Sequence, residues 1–124
     1  MIFGNGIDII EVERIENSLK NNRFRDKIFT KKEIAYCKSK KKSVESYAAR
    51  FAAKEAFFKA LGTGWRSGFS FLEIEICNNE MGKPILKIAG KIKYYLEDKG
   101  KFRFHLSLSH LKEFAIAQVI IEKI

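Results

Sequence analysis

The sequence predicts a single α+β domain over residues 1–124, in which an antiparallel sheet packs against one long central helix. Three observations carry that prediction. Val44, Tyr47, Ala48, Phe51 and Phe58 recur at helical spacing in a stretch that ends at Gly62. Residues 102–109 and 114–122 alternate as strands around a short turn at 110–113, the pattern of an antiparallel pair. The 124 residues contain no linker and no internal repeat, and they suffice for one hydrophobic core.

The elements follow in order. Residues 2–10 read as a buried, Ile-rich strand. Val12, Ile15 and Leu19 carry a short helix, with Arg14, Glu16 and Lys20 on its wet side. Residues 24–29 fit neither period. Thr30-Lys31-Lys32-Glu33 is a capping box, so a helix starts at Lys31 and runs through Ile34 to Cys37. A polar connector over 38–42 leads to Ser43, which can N-cap the long helix over 44–61, and Gly62 stops that helix. Residues 62–68 read as a flexible glycine-rich loop. A strand over 69–77, with Phe71, Ile74 and Ile76 as apolar members, precedes a turn at 78–82. Lys83-Pro84 then leads into a short strand over 85–88, and a helix over 89–98 ends at Gly100.

The charge is uneven. Residues 18–42 hold ten basic side chains against Asp26 and Glu33, which accounts for nearly all of the formal net charge of +9. Such a patch implies an acidic partner or a solvated lysine-rich surface. No apolar run approaches the ~18 residues of a membrane span. Met1-Ile2-Phe3-Gly4-Asn5-Gly6 lacks the basic region and cleavage site of a signal peptide. Cys37 and Cys77 have no ligand-like spacing, so the expectation is two free thiols in a reducing cytoplasm.

Two carboxylates stand where apolar side chains are expected. Glu55 projects near the middle of the helical stripe, between Phe51 and Phe58. Asp8 sits inside the run Ile7-Asp8-Ile9-Ile10. Burying an unpaired carboxylate costs several kcal/mol, so each needs a partner. A shared hard cation satisfies both. Magnesium suits the pair better than zinc, because it takes a few carboxylates and completes its shell with waters and phosphate oxygens. Taken singly, Glu55 could instead pair with Lys59 at i+4, and Asp8 with a buried arginine or a loop. Lys59, one turn beyond Glu55, is placed to grip a phosphate held by that cation. Arg50 and Lys54 lie on a neighbouring helical face, where ordinary surface charge explains them as well as function does. His110 closes a strand, a position that suits a turn or capping residue. Gly62-Thr63-Gly64 is a weak phosphate-binding signal without the lysine of a P-loop.

Two segments carry a resemblance. Gly6-Ile7-Asp8-Ile9-Ile10-Glu11-Val12-Glu13-Arg14-Ile15 resembles the opening signature of the holo-acyl-carrier-protein synthases, the short 4′-phosphopantetheinyl transferases. Arg50-Phe51-Ala52-Ala53-Lys54-Glu55-Ala56-Phe57-Phe58-Lys59-Ala60-Leu61-Gly62-Thr63-Gly64 resembles their central signature. Gly82-Lys83-Pro84 and Ser107-Leu108-Ser109-His110, followed by Ala115, Ala117 and Val119, are similar to later blocks. Order, spacing and length agree over essentially the whole chain. Trp65 and Phe71 depart from the residues expected, a change in pocket packing rather than in chemistry.

The resemblance implies a 4′-phosphopantetheinyl transferase-like fold. It implies Mg²⁺-dependent transfer of 4′-phosphopantetheine from coenzyme A to a serine of apo acyl carrier protein, releasing 3′,5′-ADP, for fatty acid biosynthesis in the cytoplasm. Asp8 and Glu55 would hold the metal. Glu55 would serve as the base, directly or through a metal-bound water, and Lys59 would steady the diphosphate. Arg50 and His110 would contact coenzyme A phosphates, Gly62 would line the same site, and Lys83 and Pro84 would border the adenine. Arg14, Lys20, Arg23 and Arg25 would dock the acidic carrier protein. The short members are typically trimeric. The implied assembly is a homotrimer with interfacial sites, Asp8 and Glu55 coming from one subunit and part of the coenzyme A pocket from its neighbour.

Neither nucleic acid nor membrane insertion has a role in this reading. A basic nucleic-acid module using Lys38, Lys40, Lys41 and Lys42 would explain the charge but not Glu55. A non-catalytic scaffold for carrier protein would keep the basic patch without needing both carboxylates.

Overall fold

Glycine at positions 4 and 6 governs how the main elements meet. In the computed structural model, which describes residues 1–63 and 68–124, strand β1 (Ile2–Glu11) lies directly on helix α4 (Ser43–Leu61). A Cβ on Gly4 would collide with the Ala60 carbonyl oxygen, and one on Gly6 with that of Ala56. Small residues on both elements let the two backbones approach this closely. Side chains alternate along a strand, so Asp8 is the next residue after Gly4 and Gly6 on the face turned to the helix.

β1 pairs antiparallel with β5 (Phe114–Lys123), and β5 with β4 (Phe102–His110), giving the order β1-β5-β4. Asp8 stands opposite Ala117, which stands opposite Leu108. A separate hairpin joins β2 (Ile74–Asn78) to β3 (Pro84–Ile88). In chain order, helices α1 (Val12–Ser18), α2 (Asn22–Ile28) and α3 (Lys31–Lys38) connect β1 to α4, and α5 (Gly90–Glu97) connects β3 to β4. This is the α+β arrangement of antiparallel sheet and long central helix that the sequence predicts.

α4 is buried on nearly every side. Ala52, Ala53, Ala56 and Phe57 are fully enclosed, facing a sheet surface of Ala115, Ala117, Val119 and Ile121. Phe57 meets Phe104 edge-on at 5.7 Å, and Phe51 stacks on Phe71 at 5.9 Å. Phe71 therefore belongs to the aromatic packing around α4. No helix among the described residues is long and apolar enough to cross a membrane.

Several local expectations need correction. β1 is not buried on both faces: Ile7 and Ile9 are 60% and 58% exposed, because α4 covers only one side of the sheet. Residues 24–29 belong mostly to α2, whose start is capped by the Asn21 side chain accepting from the Arg23 N–H. Ser43 is the first residue of α4 rather than its cap; Lys42 holds the cap position without a side-chain bond. Residues 71–73 form a single 3₁₀ turn before β2, because Ser70 and Glu73 make a second capping box. The capping box at Thr30 is present as predicted. Gly62 ends α4 in the left-handed region, with φ of 84°. Positions 64–67, which include Gly64 and Trp65, fall outside the described residues.

Candidate active site

The close contact of β1 with α4 brings Asp8 to the helix. Its Oδ1 accepts a bond from Lys59 Nζ at 2.9 Å, and the same ammonium donates to the Ile7 carbonyl at 3.0 Å. Asp8 Oδ2 is buried and has no hydrogen-bond partner among the described residues. Glu55 is half-buried, and its pKa is raised above the ordinary carboxylate value. Burial is the main cause and the charge of Asp8 the second, opposed by Lys59 and Arg14. Four ionisable side chains from β1, α1 and α4 thus share one electrostatic neighbourhood. Lys59 does not form the simple i+4 pair with Glu55; it reaches across to the strand.

Asp8 and Glu55 are the donors a hard cation could use here. No trio of His, Cys, Asp or Glu suited to a metal occurs among the described residues, so waters or substrate oxygens would have to fill the remaining positions. A buried carboxylate oxygen without a hydrogen bond is costly, and a cation removes that cost. The donor set fits magnesium.

A second group of predicted residues lies elsewhere. Arg50 precedes Glu55 on α4, offset by ~140° around the helix and ~7.5 Å along the axis, and only 4% of it is exposed. It donates to Asn78 Oδ1 at 2.6 Å, lies 4.1 Å over the Tyr36 ring, and leaves its buried Nε unpartnered. Asn78 in turn donates to the Gly82 carbonyl, and Asn79 accepts from the Lys83 N–H, which fixes the turn before exposed Lys83 and half-buried Pro84. His110, at the end of β4, holds Glu45 of α4 through Nδ1 at 2.8 Å. β5 separates it from the strand that carries Asp8. A cleft of about 630 Å³ opens beside Glu45, edged by Lys41, Lys42 and Lys112, and the Asp8–Glu55 pair lies outside it.

The surface-charge reading of Arg50 and Lys54 does not hold, since α4 is central and has no free face there. Lys54 is fully enclosed and spends all three protons: on Glu33 Oε1, on the Ile28 carbonyl and on the Phe71 carbonyl. Sequence reasoning missed Glu33, Glu45 and Asn78 as partners. Glu33 had a signal in its capping box; the others pair over 65 and 28 positions with no local mark. Of the basic residues, Arg14, Lys20 and Arg23 are exposed, whereas Arg25 is half-buried and bonded to Asp26. Gly62 is exposed at the end of α4. Cys37 is buried, its thiol pushed up to about 11 by desolvation, and both cysteines are free.

The profile of the 4′-phosphopantetheinyl transferase superfamily matches residues 4–119, nearly the whole chain. The chain belongs to this superfamily. Among the transferases it resembles, a holo-[acyl-carrier-protein] synthase of Clostridium acetobutylicum is 47% identical, covering 98% of each chain. The crystal structure of a holo-(acyl-carrier-protein) synthase from Bacillus anthracis, solved in complex with CoA (3′,5′-ADP), superposes with a TM-score of 0.83 at 46% identity, covering 99% of this chain and 98% of the other. The synthase of Neisseria meningitidis superposes at 0.91 with 38% identity, covering 99% and 100%. The transferase fold expected from the two sequence signatures is therefore the fold present.

Proposed function

We propose that this transferase moves 4′-phosphopantetheine from coenzyme A to a serine of apo acyl carrier protein, releasing 3′,5′-ADP, with Mg²⁺ at Asp8 and Glu55. The observation that carries the reading is the buried, unpartnered Asp8 Oδ2 beside a Glu55 of raised pKa. The names of close relatives and the coenzyme A complex of one support the substrates. When bound, the cation would offset negative charge on the diphosphate.

The serine Oγ attacks the phosphorus that bears pantetheine, forming the new P–O bond as the bond to 3′,5′-ADP breaks. Glu55 accepts the serine proton, directly or through a water. Lys59, more than half exposed, is free to turn from Asp8 toward the departing phosphate. Arg50, His110, Gly62, Lys83 and Pro84 form the coenzyme A side. Arg14, Lys20, Arg23 and Arg25 orient the acidic carrier protein.

One transferase domain over 1–124 carries half of each site in this reading. Arg50 and His110 stand away from Asp8 within a subunit, so a neighbouring copy supplies the other half. The exposed outer sheet face, with Ile7, Ile9, Phe114 and Ile116, supports a homotrimer. The setting is cytoplasmic fatty acid biosynthesis. Intact-mass spectrometry of apo carrier protein incubated with enzyme, coenzyme A and Mg²⁺ tests the reaction. The expected gain of one phosphopantetheine disappears with EDTA and with Glu55→Gln; no gain from a folded, oligomeric sample with several carriers overturns it.

A further inference from the structure

The charges around Asp8 nearly cancel before any cation arrives. Asp8 and Glu55 contribute two negative charges, and Lys59 and Arg14, both of which act on Glu55, contribute two positive ones. Lys59 is bonded to one oxygen of Asp8 and to the Ile7 carbonyl, while the other Asp8 oxygen stays buried and unpartnered. A free divalent ion therefore meets two carboxylate donors but no net attraction, and it must approach an ammonium already in place.

We propose that Lys59 is a built-in counter-cation that makes divalent-metal binding depend on coenzyme A, so that metal and diphosphate each bind weakly alone and tightly together. The inference rests on Asp8 and Glu55 being the cation site. An incoming diphosphate changes three things at once. It brings negative charge to a neutral cluster, oxygen donors to a site with only two carboxylates, and a new acceptor for Lys59. The two ends of the Lys59–Asp8 pair differ in freedom: the lysine side chain is 56% exposed, whereas that of Asp8 is 13% exposed. The lysine can thus leave while the aspartate stays. Release of Asp8 Oδ1 then completes the donor set. Coupling of this kind is reciprocal, so the metal must tighten coenzyme A by the same factor.

The test uses Mn²⁺, whose free concentration is read by electron paramagnetic resonance, with no carrier protein present and hence no turnover. Coenzyme A is expected to tighten Mn²⁺ by about tenfold or more, within the range of ordinary coupling. Lys59→Met, at an exposed site, should bind Mn²⁺ alone several-fold more tightly and lose most of the coenzyme A effect. Lys59→Arg, which keeps the charge, should retain the wild-type pattern. Equal Mn²⁺ affinity with and without coenzyme A overturns the coupling, as does a Lys59→Met protein that binds Mn²⁺ alone no better than wild type. If Mn²⁺ then still binds and Glu55→Gln abolishes it, the cation site stands and only the role of Lys59 falls. If Mn²⁺ fails to bind under either condition while calorimetry shows coenzyme A bound, the cation site falls and the coupling with it.

Discussion

Glu55→Gln should give a protein that is inactive and yet more stable at neutral pH. The Glu55 carboxyl titrates above the ordinary carboxylate value of 4.5 because burial and Asp8 both penalise its charge. A raised pKa means that the folded state holds a proton which the unfolded state releases first. Its contribution to stability is complete below pH 4.5 and is lost as pH rises through the folded value. At pH 7 the ionised side chain is therefore a burden that the amide relieves. Melting curves without divalent cation should show a higher Tm for Glu55→Gln at pH 7, with the gap closing below pH 4.5. With coenzyme A present, Mg²⁺ should raise the Tm of wild type but leave the variant unmoved. A variant less stable than wild type at pH 7 would mean that the Glu55 charge is compensated in the free protein. Asp8 and Glu55 were legible in the sequence because each interrupts an apolar pattern. Their arrangement was not, since the Lys59–Asp8 bond spans 51 positions. Arg14 illustrates the same limit. It reads as docking charge, yet it also acts on Glu55, so Arg14→Glu would disturb chemistry along with docking. Arg23, exposed on α2, is the cleaner probe. Arg23→Glu should raise the KM for carrier protein well beyond that for coenzyme A, and added salt should narrow the difference. Equal effects on both substrates would remove α2 from the docking surface.

The contact between β1 and α4 depends on what its glycines lack. Gly6→Ala places a methyl against the Ala56 carbonyl, so strand and helix must part. Overpacking of this kind costs typically about 1–3 kcal/mol, and here the displaced strand also carries Asp8. Urea denaturation should show the loss, and Mn²⁺ binding should weaken in the protein that remains folded; unchanged values for both would show that the contact is slack. The alternation Gly4, Gly6, Asp8 was visible in the sequence, but its meaning required knowing which helix lies beneath. Helical periodicity located α4 to within one residue, yet it suggested exposed charge at Arg50 and Lys54. Periodicity reports one apolar stripe, but this central helix is also covered around Arg50 and Lys54, so these two pair inward instead. Lys54 ties the end of α2, the cap of α3 and the 3₁₀ turn to α4. Lys54→Met leaves Glu33 buried and uncompensated, which should cost about 3–5 kcal/mol, measured as a lower urea midpoint. Adding Glu33→Gln should recover part of the loss, because the orphaned charge is then gone. An intact midpoint in Lys54→Met would mean that water reaches Glu33.

Packing on one side only leaves the sheet with an unfinished outer face. Along β1 the inward residues Gly6 and Ile10 are buried, whereas Ile7 and Ile9 remain mostly exposed. Ile9 stands opposite Ile116, and Glu11 opposite Phe114, so apolar surface continues from one strand to the next. Contiguous exposed apolar surface of this kind marks an interface. The same geometry explains why Arg50 and His110 cannot meet Asp8: they belong to different sides of α4 and to strands separated by β5. A second copy covering the sheet would remedy both deficits, burying the isoleucines and bringing one subunit's carboxylates to another's coenzyme A side. Ile9→Glu therefore offers a decisive separation of fold from assembly. Its side chain points away from the core, so the far-UV circular dichroism spectrum should be unchanged. A carboxylate in the proposed interface would be buried without a partner, so light scattering should report a smaller species for the variant than the trimer proposed for wild type. Transfer activity should fall by orders of magnitude, with little recovery at saturating coenzyme A, if the proposed interfacial site needs two subunits. A monomeric Ile9→Glu protein with full activity would show that one chain completes the site by itself.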